Sequence, residues 1–172
     1  VGPDINAHGL SAPTLFVLGN SIAGTIGDPY FRQAGNALAK EGCISVSIDI
    51  PGHGTQEREG EAKGLAGWRE RIDQGEDLVA ETNRRLSEVL DYLIAEGITD
   101  PAKVVASGTS RGGFLAMHFT AADPRIKCVA ACHRSHRAAR ISWSGGQRLD
   151  EVAFGFGTGG QTRGSSSLDN YG

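Results

Sequence analysis

Hydrophobic positions along this chain switch between two periods, and the switches mark its elements. Thr14 to Gly19 (TLFVLG) is a short, nearly continuous apolar run that ends in glycine, as expected of a strand buried on both faces. A glycine-containing loop follows, and Asp28-Pro29 then predicts a helix start, as cap and first-turn residue. Ala34 and Leu38 share one face of that helix, and Gly42 stands where its C-terminal cap belongs. Ile44 to Ile50 (ISVSIDI) is β-branched and alternating, which predicts a second strand. It runs into Pro51-Gly52-His53-Gly54, a turn through which no strand continues.

Glu57 to Gly75 is charged and dotted with glycine, so it reads as an irregular or short-helical excursion. Between Glu76 and Glu96, Leu78, Leu86, Val89, Leu90, Leu93 and Ile94 recur at helical spacing. Gly97 ends that helix, and Asp100-Pro101 leads into a third strand, Lys103 to Gly108 (KVVASG). Arg111 to Ala122 reads as a helix stopped by Asp123-Pro124, and Ile126 to Ala131 (IKCVAA) as a fourth strand. Alternation of strand and helix predicts right-handed crossovers and a doubly wound α/β fold, a mostly parallel sheet with helices on both faces.

The pattern fades near residue 132. Residues 133–172 hold four residues from Ile, Leu, Val and Met, where the preceding forty hold nine. They also hold eight glycines and five arginines but no lysine. The expectation is a core over 1–132 followed by a tail over 133–172 that is disordered or out of frame, because so little apolar surface does not offset ordering entropy. The genetic code permits codons for Asp150 to Gly172 that, read one base later, encode a helical apolar pattern, a Gly-Arg-Pro turn and a buried-strand run. The core is therefore expected to lack its last strands.

Composition narrows the function classes. A chain of 172 residues suits one domain, and a net charge of -3 gives no reason to expect nucleic acid or an anionic membrane as partner. No stretch is apolar for long enough to span a bilayer. The first residue is Val1, not Met, so an incomplete N-terminus is expected and the compartment, cytoplasmic or secreted, stays open. Cys43, Cys128 and Cys132 are odd in number and lack CxxC spacing, so they are expected to be buried small hydrophobes with no metal or redox role.

Candidate chemistry centres on Gly108-Thr109-Ser110-Arg111-Gly112. A Gly-x-Ser-x-Gly match alone is weak, but this one joins a predicted strand to a predicted helix. Glycines there permit a strained turn and close packing of helix on sheet, and the serine hydroxyl then stands clear at the sheet's carboxyl edge. The free N–H groups of the following helix face the same point, favouring a developing oxyanion. Ser110 is thus the candidate nucleophile, the bland alternative being a helix N-cap in a tight loop.

The run from Pro101 to Ala131 resembles the nucleophile strand, elbow, helix and next strand of prolyl-oligopeptidase-like or dienelactone-hydrolase-like members of the α/β-hydrolase superfamily. Val46 to Gly54 (VSIDIPGHG) resembles the preceding strand and loop; the likeness covers roughly residues 13 to 131. It implies a cofactor-free, metal-free serine hydrolase acting by acyl transfer on a small-molecule ester, thioester or peptide. Its oxyanion donors would be the backbone N–H of Arg111 and one from Gly19-Asn20-Ser21, by position Asn20. The family's acid and histidine follow the serine in the chain, and here the pattern departs. No convincing strand is found after Ala131, and His133 and His136 come too early.

His53 is a candidate residue at the mouth of the site, in a turn that is ordinarily structural. His118 is expected to pack inside its helix. Asp49 ends a strand at the catalytic edge but precedes Ser110, the wrong order for a triad acid. The charged run from Glu57 to Glu76 is expected to be a solvated face or part of a cap. Two rivals remain: a non-catalytic binding protein that keeps the fold, and a flavodoxin-like nucleotide binder. Gly19 to Gly24 does not fit GxGxxG, which disfavours the second. Substrate preference and oligomeric state are not legible in the sequence.

Overall fold

The computed structural model describes residues 11–132 and 138–141. Its elements are β1 (Ala12–Leu18), α1 (Ile22–Gly27), α2 (Gln33–Ala39), β2 (Ile44–Val46), α3 (Leu65–Asp73), α4 (Leu78–Ala95), β3 (Thr99–Thr109), α5 (Arg111–Ala122), β4 (Ile126–Cys132) and β5 (Ala138–Ile141). The sheet order is β2-β1-β3-β4-β5. The first four strands are parallel and β5 is antiparallel to β4, Cys132 facing Ala138. The doubly wound α/β reading therefore holds.

Alternation along β1 shows why both faces need covering. Phe16 and Leu18 join Leu86, Leu90, Leu115 and Phe119 on the face that α4 and α5 cover, with Phe16 and Phe119 edge to face at 5.4 Å. Leu15 and Val17 point the other way, against Cys43, Ala34 and Leu38. Each fully buried side chain of this size contributes about 1.5–3 kcal/mol, so the sheet is anchored from both sides.

Four local readings are corrected. The second strand, expected over Ile44 to Ile50, pairs with β1 only over Ile44–Val46. The helix expected to open at Asp28-Pro29 is split. Ser21 caps α1 within the predicted loop, its hydroxyl accepting from the Gly24 N–H at 3.0 Å, and Asp28 is the C-cap of that helix. The second helix starts at Gln33 without a side-chain cap. The Asp28 carboxylate instead accepts from the Tyr30 N–H, the local turn bond that competes with helix initiation. The third strand runs longer than predicted, because Thr99 pairs with Ala12 across a register shift. Finally, β5 lies within the stretch read as a tail, where no strand was expected after Ala131. Four residues paired on one side are too short to show a period. The rest of that stretch, including Asp150 to Gly172, lies outside the described residues.

Other boundaries follow the sequence. Asp77 caps α4, accepting from the Ala80 N–H at 2.9 Å. Gly97, at φ 68°, closes the helix with the Ile98 N–H on the Leu93 carbonyl. The charged excursion contains α3, consistent with its short-helical reading. No helix among the described residues is long and apolar enough to cross a membrane.

The connection from β1 leads to β2 on one side, and the connection from β3 leads to β4 on the other. The carboxyl ends of β1 and β3 therefore flank the topological switch point, the place at which open α/β sheets bind ligands. The loop of residues 19–21 and Ser110 end those two strands.

Candidate active site

Ser110 has φ 56° and ψ -119° and is the sole non-glycine residue with positive φ among the described residues. Such a conformation costs on the order of 1–3 kcal/mol and persists only where the surroundings enforce it. Here backbone contacts enforce it. A Cβ on Gly108 would overlap the Gly112 carbonyl, and one on Gly112 would overlap the Leu18 carbonyl at the end of β1. A Cβ on Gly113 would lie 2.9 Å from the Gly108 oxygen. The helix therefore seats directly on the strand ends, and the Ser110 N–H donates to the Cys132 carbonyl at 2.8 Å. Ser110 stands at the N-cap position of α5, but its side chain is exposed and makes no capping bond.

The Arg111 backbone opens α5, so its N–H belongs to the unpaired first turn. Its side chain lies over the Trp68 ring, 5.5 Å from the centroid, and its Nη2 donates to His53 Nε2 at 2.7 Å. His53 thus accepts on Nε2 and carries its proton on Nδ1. Burial first, then the Arg111 charge, push its imidazole below the ordinary value, so it stands neutral at pH 7. The structure brings His53 to Arg111, not to the Ser110 hydroxyl. Burial also lowers the Arg111 guanidinium, whose Nη1 is enclosed without a hydrogen-bond partner among the described residues.

Asn20 lies at the end of β1 as predicted, but its N–H donates to Thr25 Oγ1 at 3.0 Å. The Thr25 hydroxyl in turn donates to Asn20 Oδ1 at 3.1 Å, and the Asn20 side chain occupies the space a Gly24 Cβ would need. To hold an oxyanion, the Asn20 N–H would have to leave or share that hydroxyl.

Asp49, buried at 5% exposure, does what its sequence position did not reveal. Its Oδ1 accepts from the Ile22 N–H at 2.6 Å. Its Oδ2 accepts from the Thr55 N–H at 2.9 Å and the Thr55 hydroxyl at 2.8 Å. Burial opposes ionisation of this carboxyl, but those bonds and the Arg85 charge together hold it below the ordinary carboxylate range. The Trp68 indole was also missed; it donates to the Pro51 carbonyl at 2.7 Å and fixes the turn before His53. A lone tryptophan among charges gave no periodic signal.

The charged excursion is partly a structural lock. Arg71 is buried, pairs with Glu61, and donates to the Gln56 carbonyl at 2.7 Å. Arg58 and Glu76 form an outer pair at 2.5 Å. His118 does not pack inside: it is exposed, ring edge against Phe114 with centroids 4.4 Å apart. His133 and His136 lie outside the described residues. Cys43 is buried, Cys128 and Cys132 are half-buried, and burial raises all three thiols. Among the described residues no group of three or more His, Cys, Asp or Glu is placed to hold a metal.

Residues 7–169 match the model of the alpha/beta hydrolase family, and the chain belongs to that family. A cold-adapted esterase from an Arctic intertidal metagenomic library, solved bound to PEG, is 28% identical with a TM-score of 0.54 over 73% of this chain and 50% of its own. The native form of a cold-adapted esterase from such a library is 25% identical, TM-score 0.50, over 73% and 48%. A Bacteroides fragilis protein assigned as an acetyl xylan esterase shares the fold at 22% identity and TM-score 0.55, over 70% and 37%. The chain thus spans about half the length of the first esterase. No curated protein matches it.

Proposed function

We propose that this chain carries the nucleophile of a serine esterase, Ser110 attacking the carbonyl carbon of a small-molecule ester. The observation that carries the reading is the enforced left-handed backbone of an exposed serine at the sheet's switch point, with the N-terminus of α5 beneath it. Attack forms the Oγ–carbon bond as a base takes the hydroxyl proton. The Arg111 N–H and a donor from the 19–21 loop, Asn20 by position, would hold the oxyanion until the alcohol leaves. Water then cleaves the acyl-serine. The 28% identical neighbour named as an esterase supports an ester over a peptide substrate. Resemblance of the Pro101 to Ala131 run supports a prolyl-oligopeptidase-like or dienelactone-hydrolase-like branch.

Neither described histidine acts as the base: His53 spends Nε2 on Arg111, and His118 rests on Phe114. From the described residues slow turnover is expected, with water in place of a histidine taking the Ser110 hydroxyl proton. A p-nitrophenyl acetate assay with Ser110→Ala as control tests this. Expected is slow hydrolysis that the substitution abolishes, with weak fluorophosphonate labelling at Ser110. An unchanged rate in Ser110→Ala would sink the proposal, and strong labelling would show a base already in place. A non-catalytic binding protein of the same fold is the second reading, favoured by the absence of a hydrogen-bond partner for the Ser110 hydroxyl among the described residues. It predicts a folded chain with no Ser110-dependent hydrolysis.

A further inference from the structure

We infer that Asp49 is a positioning residue for acyl transfer at Ser110, its carboxylate setting the distance between the loop after β1 and the turn that carries His53. The inference rests on the esterase reading above. Asp49 joins two segments far apart in sequence. Through Oδ1 it holds the Ile22 N–H at the start of α1, and through Oδ2 it holds both donors of Thr55. Beside this carboxylate the two segments meet again, the Ile50 N–H donating to the Asn20 carbonyl at 3.2 Å. The peptide on either side of Ser21 is thus pinned to the 49–50 segment, once through Asn20 and once through Ile22.

Two further features match the carboxylate. Gly54 has φ 55°, and a Cβ there would lie 2.5–2.6 Å from the Asp49 carboxylate atoms, so the turn closes over it only with glycine. From α4, the Arg85 guanidinium donates to the Asp49 carbonyl at 3.0 Å and places a positive charge beside it. Three donors converge on two oxygens, and an amide in place of the carboxylate must turn an NH2 group toward one set. The His53 turn reaches Arg111, the neighbour of Ser110, and the 19–21 loop follows the Leu18 carbonyl against which Gly112 is seated. Loss of the clamp would let them drift apart while leaving the sheet intact.

The test uses the full chain with Asp49→Asn and Thr55→Val, read by amide hydrogen exchange, by kcat and KM on p-nitrophenyl acetate, and by thermal melting. Asp49→Asn should fold, exchange the Ile22 and Thr55 amides about tenfold faster, and lower Ser110-dependent kcat by roughly 10- to 100-fold with KM within about twofold, the scale expected for misplacement near an ångström. Thr55→Val should shift kcat in the same direction by less, and it decides the matter if Asp49→Asn does not fold. Unchanged kcat alongside faster Ile22 exchange would reduce Asp49 to a structural residue and overturn the inference; so would unchanged exchange. Activity that survives Ser110→Ala would remove the esterase reading and this role together, and that control separates the two failures.

Discussion

The turn at Ser110 and the excursion between Asp49 and Asp77 meet where Arg111 reaches His53 and Trp68, but they are held by different forces. Around Ser110, shape does the holding: three glycines seat α5 against the ends of β1 and β3, and the Ser110 side chain makes no capping bond. Around His53, polar side chains do it, through Asp49, Trp68, and Arg71 with Glu61. A turn held by steric contact should ignore pH and salt and tolerate no added atom. A turn held by charges and hydrogen bonds should tolerate added atoms better and respond to protons.

The sharpest break is Gly112→Ala. Its methyl overlaps the Leu18 carbonyl, a backbone atom that cannot swing aside, so a loss of about 4 kcal/mol or outright misfolding is expected in urea titration. Next is Arg71→Met, which strands Glu61 and frees the Gln56 carbonyl. Removing one partner of this buried pair should lower stability by about 2–3 kcal/mol, less in acid where Glu61 takes up a proton. Trp68→Phe keeps most of the ring but loses the bond to Pro51, and about 1 kcal/mol of stability should go with it. A result as large as that of Gly112→Ala would erase the contrast between the regions.

Smaller still is the titration of His53. Its folded value lies below the ordinary 6.5, so the unfolded chain takes up the proton first. The stabilisation is complete above that value and is lost as pH falls toward the folded one. Melting temperature should therefore decline as pH drops below about 6.5, and His53→Gln should flatten that decline. Arg84→Ala marks the floor: its pairs with Glu81 and Glu88 are fully exposed, and no change in the melting midpoint is expected.

The same division explains what the sequence revealed. The Ser110 turn was legible because shape is written in residue types: glycines at fixed offsets, flanked by an apolar run and a helical period. The range of α5 was read without error, and the parallel pairing of the first four strands followed from the alternation of strand and helix. The clamp was not legible, since Asp49 and Thr55 find each other only after the turn between them closes. Thr25 and Asn20 are similarly opaque, because a threonine in a six-residue helix carries no pattern. A single Asp28 signal was read as a helix start where the chain uses it to end α1.

The opposed departures of the chain from β1 and β3 have a further consequence. The wiring of the backbone brings the ends of β1 and β3 side by side, so that placement should survive replacement of the exposed side chains around Ser110. A library randomised at the exposed positions around Ser110 would then sample new specificities on an unchanged frame, while one touching Gly108 or Gly112 would sample mostly unfolded chains.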